Sequence, residues 1–143
     1  MMVSDEDLAQ FNDLASHPKD HAENVMIVDL LRHDLGKHAA IGSVKVPKLF
    51  SVESFPQVHH LISDISCRLK KDSSPLDLLF DAFPGGSITG APKKRAMEII
   101  DELENCDRTI YCSSIGYLSK EGRGQCNIAI RTLVRVENDI YAW

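Results

Sequence analysis

From Pro84 to Pro92 the chain reads Pro-Gly-Gly-Ser-Ile-Thr-Gly-Ala-Pro, three glycines and two prolines in nine residues, and its first seven, Pro84 to Gly90, are expected to hold no regular structure. This break divides the 143-residue chain into stretches that fold by different rules. Directly after it, Lys93 through Leu103 carries helix formers with Ala96, Met97, Ile99, Ile100 and Leu103 as an apolar side, so the loop feeds a helix.

Upstream, residues 1–17 form a lead-in segment in which Leu8, Phe11 and Leu14 make one short helical stripe with little to pack against. Pro18-Lys19-Asp20 opens a stronger helix, with Val25, Met26, Leu30 and Leu31 on one side, running to about Asp34, and Leu35-Gly36 supplies a stop. Residues 42–50 alternate as a strand that Pro47 confines to an edge or a bulge. Two further helices are expected: one from Ser54-Phe55-Pro56 with Val58, Leu61, Ile62 and Ile65, and one from Ser74-Pro75 with Leu78, Leu79 and Phe83. The last third reads as β: a strand over 109–119, a turn through 120–124, a strand over 126–136, a turn at Asn138-Asp139 and a strand over 140–143. Stopping inside a strand leaves an apolar sheet edge, so the chain is expected to be truncated and poorly soluble.

The 43% hydrophobic and 26% charged residues are those of a soluble globular protein, and a net charge of -5 argues against general nucleic-acid binding. No apolar run reaches membrane-span length, and the start, Met1-Met2-Val3-Ser4-Asp5-Glu6-Asp7, is acidic, so the expected location is the cytoplasm. Cys67, Cys106, Cys112 and Cys126 form no CxxC pair and are expected to be reduced thiols.

Four features can carry chemistry. In the glycine loop, unpaired amides attract a carboxylate or phosphate; Gly85, Gly86 and Gly90 allow close backbone approach, Ser87 and Thr89 add hydroxyls, and Lys93 adds a cation. A capped connection between two helices explains the same residues, and the spacing is not that of a P-loop. Asp20 and Glu23, three apart, share a helix face and can hold magnesium, or they simply complement the helix dipole. Arg131, in an apolar strand, needs a carboxylate partner from a ligand or from the protein, and Tyr117 can add a hydroxyl from the neighbouring strand. Of His59 and His60, on the expected helix, one faces inward and one faces solvent; the inward one is a proton carrier or a satisfied core residue.

In order and wording, the segments Ala22 through Asp34, Gly42 through Val46, Val58-His59-His60-Leu61, Phe83 through Met97, Gly116-Tyr117 and Ile130-Arg131-Thr132 resemble the catalytic domain of chorismate-utilising enzymes from about Lys19 onward. The Gly-Ser-Ile-Thr-Gly-Ala-Pro-Lys wording is most similar to the amine-transferring branch, the aminodeoxychorismate synthases, with anthranilate, isochorismate and salicylate synthases as neighbours.

The resemblance implies an α/β (α+β) fold of two packed antiparallel sheets with outer helices, of which residues 18–143 form a part. It also implies magnesium held by Glu23 with Asp20 nearby, a catalytic role for His60, a substrate pocket lined by Ser87, Thr89 and Gly90, and a substrate carboxylate held by Tyr117 and Arg131. The substrate would be chorismate, and ammonia would come from a glutamine amidotransferase partner. The family's Pro-Ile-Lys-Gly-Thr motif and its other acidic residues do not occur in the chain, His33 stands where the family has asparagine, and Gln125 stands where it often has aspartate. The chain alone is therefore expected to be inactive. A chain without catalysis of its own, or a subunit that completes its site with another chain, is the reading from a different class.

Overall fold

The computed structural model describes residues 5–142, in two compact units divided between Ser74 and Pro75. Met1 through Ser4, at the acidic start, and Trp143, at the end of the expected last strand, lie outside the described residues.

The first unit contains α1 (Asp5–Ser16), α2 (Pro18–His38), β1 (Lys45–Phe55) and β2 (Val58–Ser66). Three acidic residues, Asp5, Glu6 and Asp7, occupy the first turn of α1, where they offset the positive helix end. Its apolar stripe does find a surface. Phe11 meets the edge of His59 at 5.6 Å between ring centroids, and Asp7 Oδ1 lies 3.1 Å from His59 Nε2, so α1 rests on β2.

Helix α2 starts with Pro18 in its first turn, as expected, but runs through Gly36 to His38 rather than ending near Asp34. A helical glycine costs about 1 kcal/mol. Tertiary contacts offset this by satisfying the carbonyls at the helix end: Lys70 Nζ donates to Lys37 O at 2.7 Å and the Lys70 amide to His38 O at 2.9 Å. Asp34, 4% exposed, is held by Lys37 at 3.4 Å.

The segment after Pro56 is a strand and not the expected helix. Pro56-Gln57 forms a hairpin turn, and β2 pairs antiparallel with β1 from Phe55↔Val58 to Lys45↔Ser66. Val58, Leu61, Ile62 and Ile65 fit helical spacing, but β-branched residues at three of those positions and a ready backbone partner in β1 favour the sheet. Pro47 falls within a register shift, in keeping with the bulge expected there.

The second unit contains α3 (Pro75–Ala82), a single helical turn α4 (Gly86–Thr89), α5 (Lys93–Leu103), and the hairpins β3 (Ser114–Leu118) with β4 (Gly124–Ile128) and β5 (Leu133–Val136) with β6 (Asp139–Ala142). The two expected helices are in place on either side of the glycine loop, but the loop itself is not without regular structure as expected: Gly86–Thr89 closes a single helical turn, because the Ile88 amide and the Thr89 hydroxyl both donate to Gly85 O. The long strands expected over 109–119 and 126–136 are shorter, because Thr109, Cys112 and Arg131 have φ of 48°, 63° and 51° and turn the chain. The mixed α/β class holds, with the described strands arranged as three two-stranded antiparallel sheets.

Among the described residues the buried apolar ones are few: Val28 and Ala39 in the first unit, Cys112 and Ala129 in the second. In the second unit the core is tied by the Cys112 amide to Ala129 O at 2.9 Å and the Ala129 amide to Ser113 O at 2.8 Å. No helix among the described residues is long and apolar enough to cross a membrane.

Candidate active site

In the first unit, Asp20 and Glu23 sit near the start of α2, where their spacing puts them on one side of the helix. Asp20 Oδ2 lies 3.1 Å from His17 Nδ1, and Glu23 is exposed. Among the described residues no group of three or more His, Cys, Asp and Glu side chains is arranged to hold a metal. Two carboxylates on one helix face are what the fold offers.

The histidine pair is split by the pleat of β2. His59 turns toward the helices, its side chain 11% exposed, with Nδ1 2.9 Å from Ser54 Oγ and Nε2 on Asp7. Ser63, on the same face, donates to Asn24 Oδ1 of α2 at 2.6 Å. His60 therefore projects from the opposite face, exposed, with its ring 5.4 Å from that of Phe55. Having one ring inward and one outward agrees with the sequence reading, but it arises from strand alternation and not from helical geometry.

In the second unit the glycine loop is braced from several sides. Thr89 Oγ1 donates to Gly85 O at 3.0 Å, and the Ile88 amide donates to the same carbonyl at 3.2 Å. Gly90 has φ 138°, a backbone region close to glycine alone, and a Cβ there would stand 3.2 Å from Ala96 Cβ. Lys93 Nζ donates to Ala82 O at 2.8 Å, so it ties α5 to the end of α3 as well as carrying charge. Ser87 is the exposed side chain of the turn, and Gly86 is buried.

Tyr117 lies in β3 opposite Gln125 and is 66% exposed. Beside it, Gly116 accepts no side chain, since a Cβ would meet Gln125 O at 2.3 Å. Arg131 does not lie inside a strand as expected. It is exposed, in the left-handed region between β4 and β5, because pairing ends at Ser114↔Ile128 and the chain reverses, with the Ile130 amide on Ile128 O at 3.0 Å. An exposed guanidinium escapes the burial cost that argued for a fixed anion partner. The register does not set Arg131 opposite Tyr117. Tyr117 borders a cavity of about 470 Å³ with Leu76, Leu79 and Cys126, whereas Thr89 borders another of about 270 Å³ with Ile88, Met97 and Arg108.

Two residues here escaped the sequence reading. Arg108 Nε donates to Glu104 Oε2 at 2.8 Å, its Nη2 reaches the other carboxylate oxygen, and its Nη1 donates to Ile88 O at 3.0 Å. The guanidinium also lies 5.8 Å from the Tyr111 ring centroid. The hydrogen bond from Arg108 holds the Glu104 carboxyl below its ordinary range, and the same bond raises Arg108. The four-residue spacing of Glu104 and Arg108 was the available signal, although pairs so spaced are common on exposed helix ends.

The chorismate binding enzyme family model matches residues 3–143. The chain is 56% identical to aminodeoxychorismate synthase component 1 of Klebsiella aerogenes over 96% of its length and 57% identical to that of Escherichia coli K12 over 95%, covering 30% of each of those proteins. It thus spans about 30% of the length of these curated relatives. Among solved structures, anthranilate synthase component I from Streptococcus pneumoniae TIGR4 matches with a TM-score of 0.84 and 44% identity, over 90% of this chain and 29% of that one. With nearly every residue inside the family match, the chain belongs to the chorismate binding enzymes.

Proposed function

We propose that the protein acts as an aminodeoxychorismate synthase component, replacing the C4 hydroxyl of chorismate with an amine to give 4-amino-4-deoxychorismate and water. The observation that carries this reading is the 56–57% identity to aminodeoxychorismate synthase component 1 over nearly the whole chain, against 44% to the anthranilate synthase of known structure. That those relatives are a component 1 supports a second component, which we assign as a glutamine amidotransferase supplying ammonia. Cytoplasmic residence fits such a reaction.

The roles follow from the chemistry of each group. Asp20 and Glu23 suit magnesium, which keeps several waters and takes one or two protein carboxylates plus substrate oxygens. When bound, the ion would neutralise a substrate carboxylate and help fix its position. Glu23, exposed on its helix face, would ligate it, and Asp20, tied to His17, would stand in support. The imidazole of His60 is open to solvent and suited to carrying a proton near the ring. Ser87, Thr89 and Gly90 would shape the pocket through a braced turn, and Arg131 with Tyr117 would receive the second carboxylate as charge and hydroxyl donors.

The test is product identity. Full-length protein incubated with chorismate, magnesium and ammonia should yield 4-amino-4-deoxychorismate by mass spectrometry. Anthranilate, isochorismate or salicylate as the main product would overturn the assignment in favour of a neighbouring branch of the family.

A further inference from the structure

We infer that Arg108 is a positioning residue that sets the glycine-loop turn carrying Ser87 and Thr89, gripping the Ile88 carbonyl while Glu104 holds its guanidinium in place. The inference rests on the proposed function for its kinetic consequence and on the structure alone for its mechanical one.

The turn is only four residues long, Gly86 to Thr89, too short to be stable from its own hydrogen bonds. Two of its flanking residues, Gly85 and Gly90, add backbone freedom. Something outside it must select one conformation. The Ile88 carbonyl, in the middle of the turn, accepts from Arg108 Nη1 at 3.0 Å across 20 residues of sequence. Because a peptide group is planar, holding that oxygen fixes the Ile88–Thr89 peptide plane and so the direction in which the turn presents its hydroxyls.

Arg108 can do this because its other donors are engaged. Nε and Nη2 bond the two Glu104 oxygens, and the guanidinium carbon lies over the Tyr111 ring at 5.8 Å from its centroid, so the fork is held along one edge and against a ring. The side chain is 26% exposed, sheltered enough for the fork to order its surroundings. A lysine offers one ammonium and cannot bond both Glu104 oxygens and Ile88 O in this geometry. Arg108 lines the cavity of about 270 Å³ together with Ile88 and Thr89, and its bond to the Ile88 carbonyl is its route to the turn.

The experiment compares unaltered full-length protein with Arg108→Lys and Glu104→Gln by hydrogen exchange and by steady-state kinetics. Arg108→Lys should speed exchange over residues 85–90 about tenfold while α5 and β3–β4 stay protected, as expected for loss of one charge-assisted bond. KM for chorismate should rise about tenfold with kcat within about twofold, since the turn contributes to binding and not to proton transfer. Glu104→Gln, which leaves Arg108 in place with a looser hold, should give the same pattern at about threefold and serves if the lysine variant does not fold. Unchanged exchange over 85–90 in the folded variants, or a rise spread evenly over α5 and the β3–β4 hairpin, overturns the inference. Absence of chorismate turnover by the unaltered protein would count against the proposed function alone, leaving the exchange arm to decide on Arg108.

Discussion

At the scale of single residues, charge placement carries two predictions. Glu104 has its carboxyl lowered by Arg108, so the folded state binds a proton there less readily than the unfolded chain. The resulting stability is fully present above the ordinary carboxyl value of 4.5 and is lost as pH falls through the lowered folded value. Glu104→Gln should therefore lower the midpoint of thermal unfolding at pH 7, and the difference from the unaltered protein should shrink steadily as the pH falls below 4.5. A gap that stays constant as the pH falls below 4.5 would show that the carboxylate charge is not what stabilises. The second prediction concerns Glu23, whose exposure leaves it available to an ion. Glu23→Gln removes a charge but little volume, so the magnesium concentration giving half-maximal rate should rise about tenfold or more, while unfolding in metal-free buffer stays unchanged. The residue types were legible in the sequence for Asp20, Glu23, Ser87 and Thr89, because spacing on a helix and glycine content in a loop are local properties. Arg108 was not legible, because its use depends on a carbonyl 20 residues away.

At the scale of elements, the decisive case is β2. Helical and strand templates both fit Val58, Leu61, Ile62 and Ile65, and the choice was made by β1, which pairs with one edge of β2 from Val58 to Ser66. That choice puts His59 against α1 and His60 outside. His59 joins three partners, Asp7, Ser54 and Phe11, and its contact with Asp7 is a polar tie between α1 and the hairpin. His59→Ala should release α1, costing about 1–3 kcal/mol locally. Limited proteolysis should then cut near Ser16-His17, between α1 and α2, several times faster, with α2 remaining protected in hydrogen exchange. Cleavage at the unaltered rate would mean that apolar contact alone seats α1. The long apolar run from Ile128 to Leu133 misled in the other direction: it looks like one strand, but Arg131 at φ 51° breaks it, and such a φ has no composition signal in an arginine.

At the scale of the whole molecule, the exposed apolar surface is the dominant fact. The chain of 15.9 kDa exposes 11027 Å². Two independent globules of half that mass would together expose about 8,900 Å². Leu133 at 71%, Ile140 at 67% and Phe80 at 71% exposure belong to this excess, and each described hairpin leaves both outer edges without a strand partner among the described residues. Such edges pair with other chains. The 143-residue chain in isolation should bind a dye specific for exposed apolar surface and scatter light increasingly with concentration. A monodisperse monomer that ignores the dye and unfolds in one cooperative step would contradict this.

What the sequence determined by itself was whatever depends on neighbours along the chain: the helix starts at Pro18 and Pro75, the break from Pro84 to Gly90, the helix it feeds, the two hairpin turns of the last third, and the family wording. Those follow from φ restriction at proline, glycine freedom and apolar spacing, all local. Only the tertiary structure decided that the segment after Pro56 is a strand, that α2 continues past Gly36, that Arg131 sits in a turn, and that Arg108 holds Ile88. For the strand, for α2 and for Arg108 the local preferences were close to balanced or silent, and a group distant in sequence supplied the hydrogen bond that settled the outcome; at Arg131 the chain reverses locally, with the Ile130 amide on Ile128 O, and an arginine at φ 51° carries no composition signal.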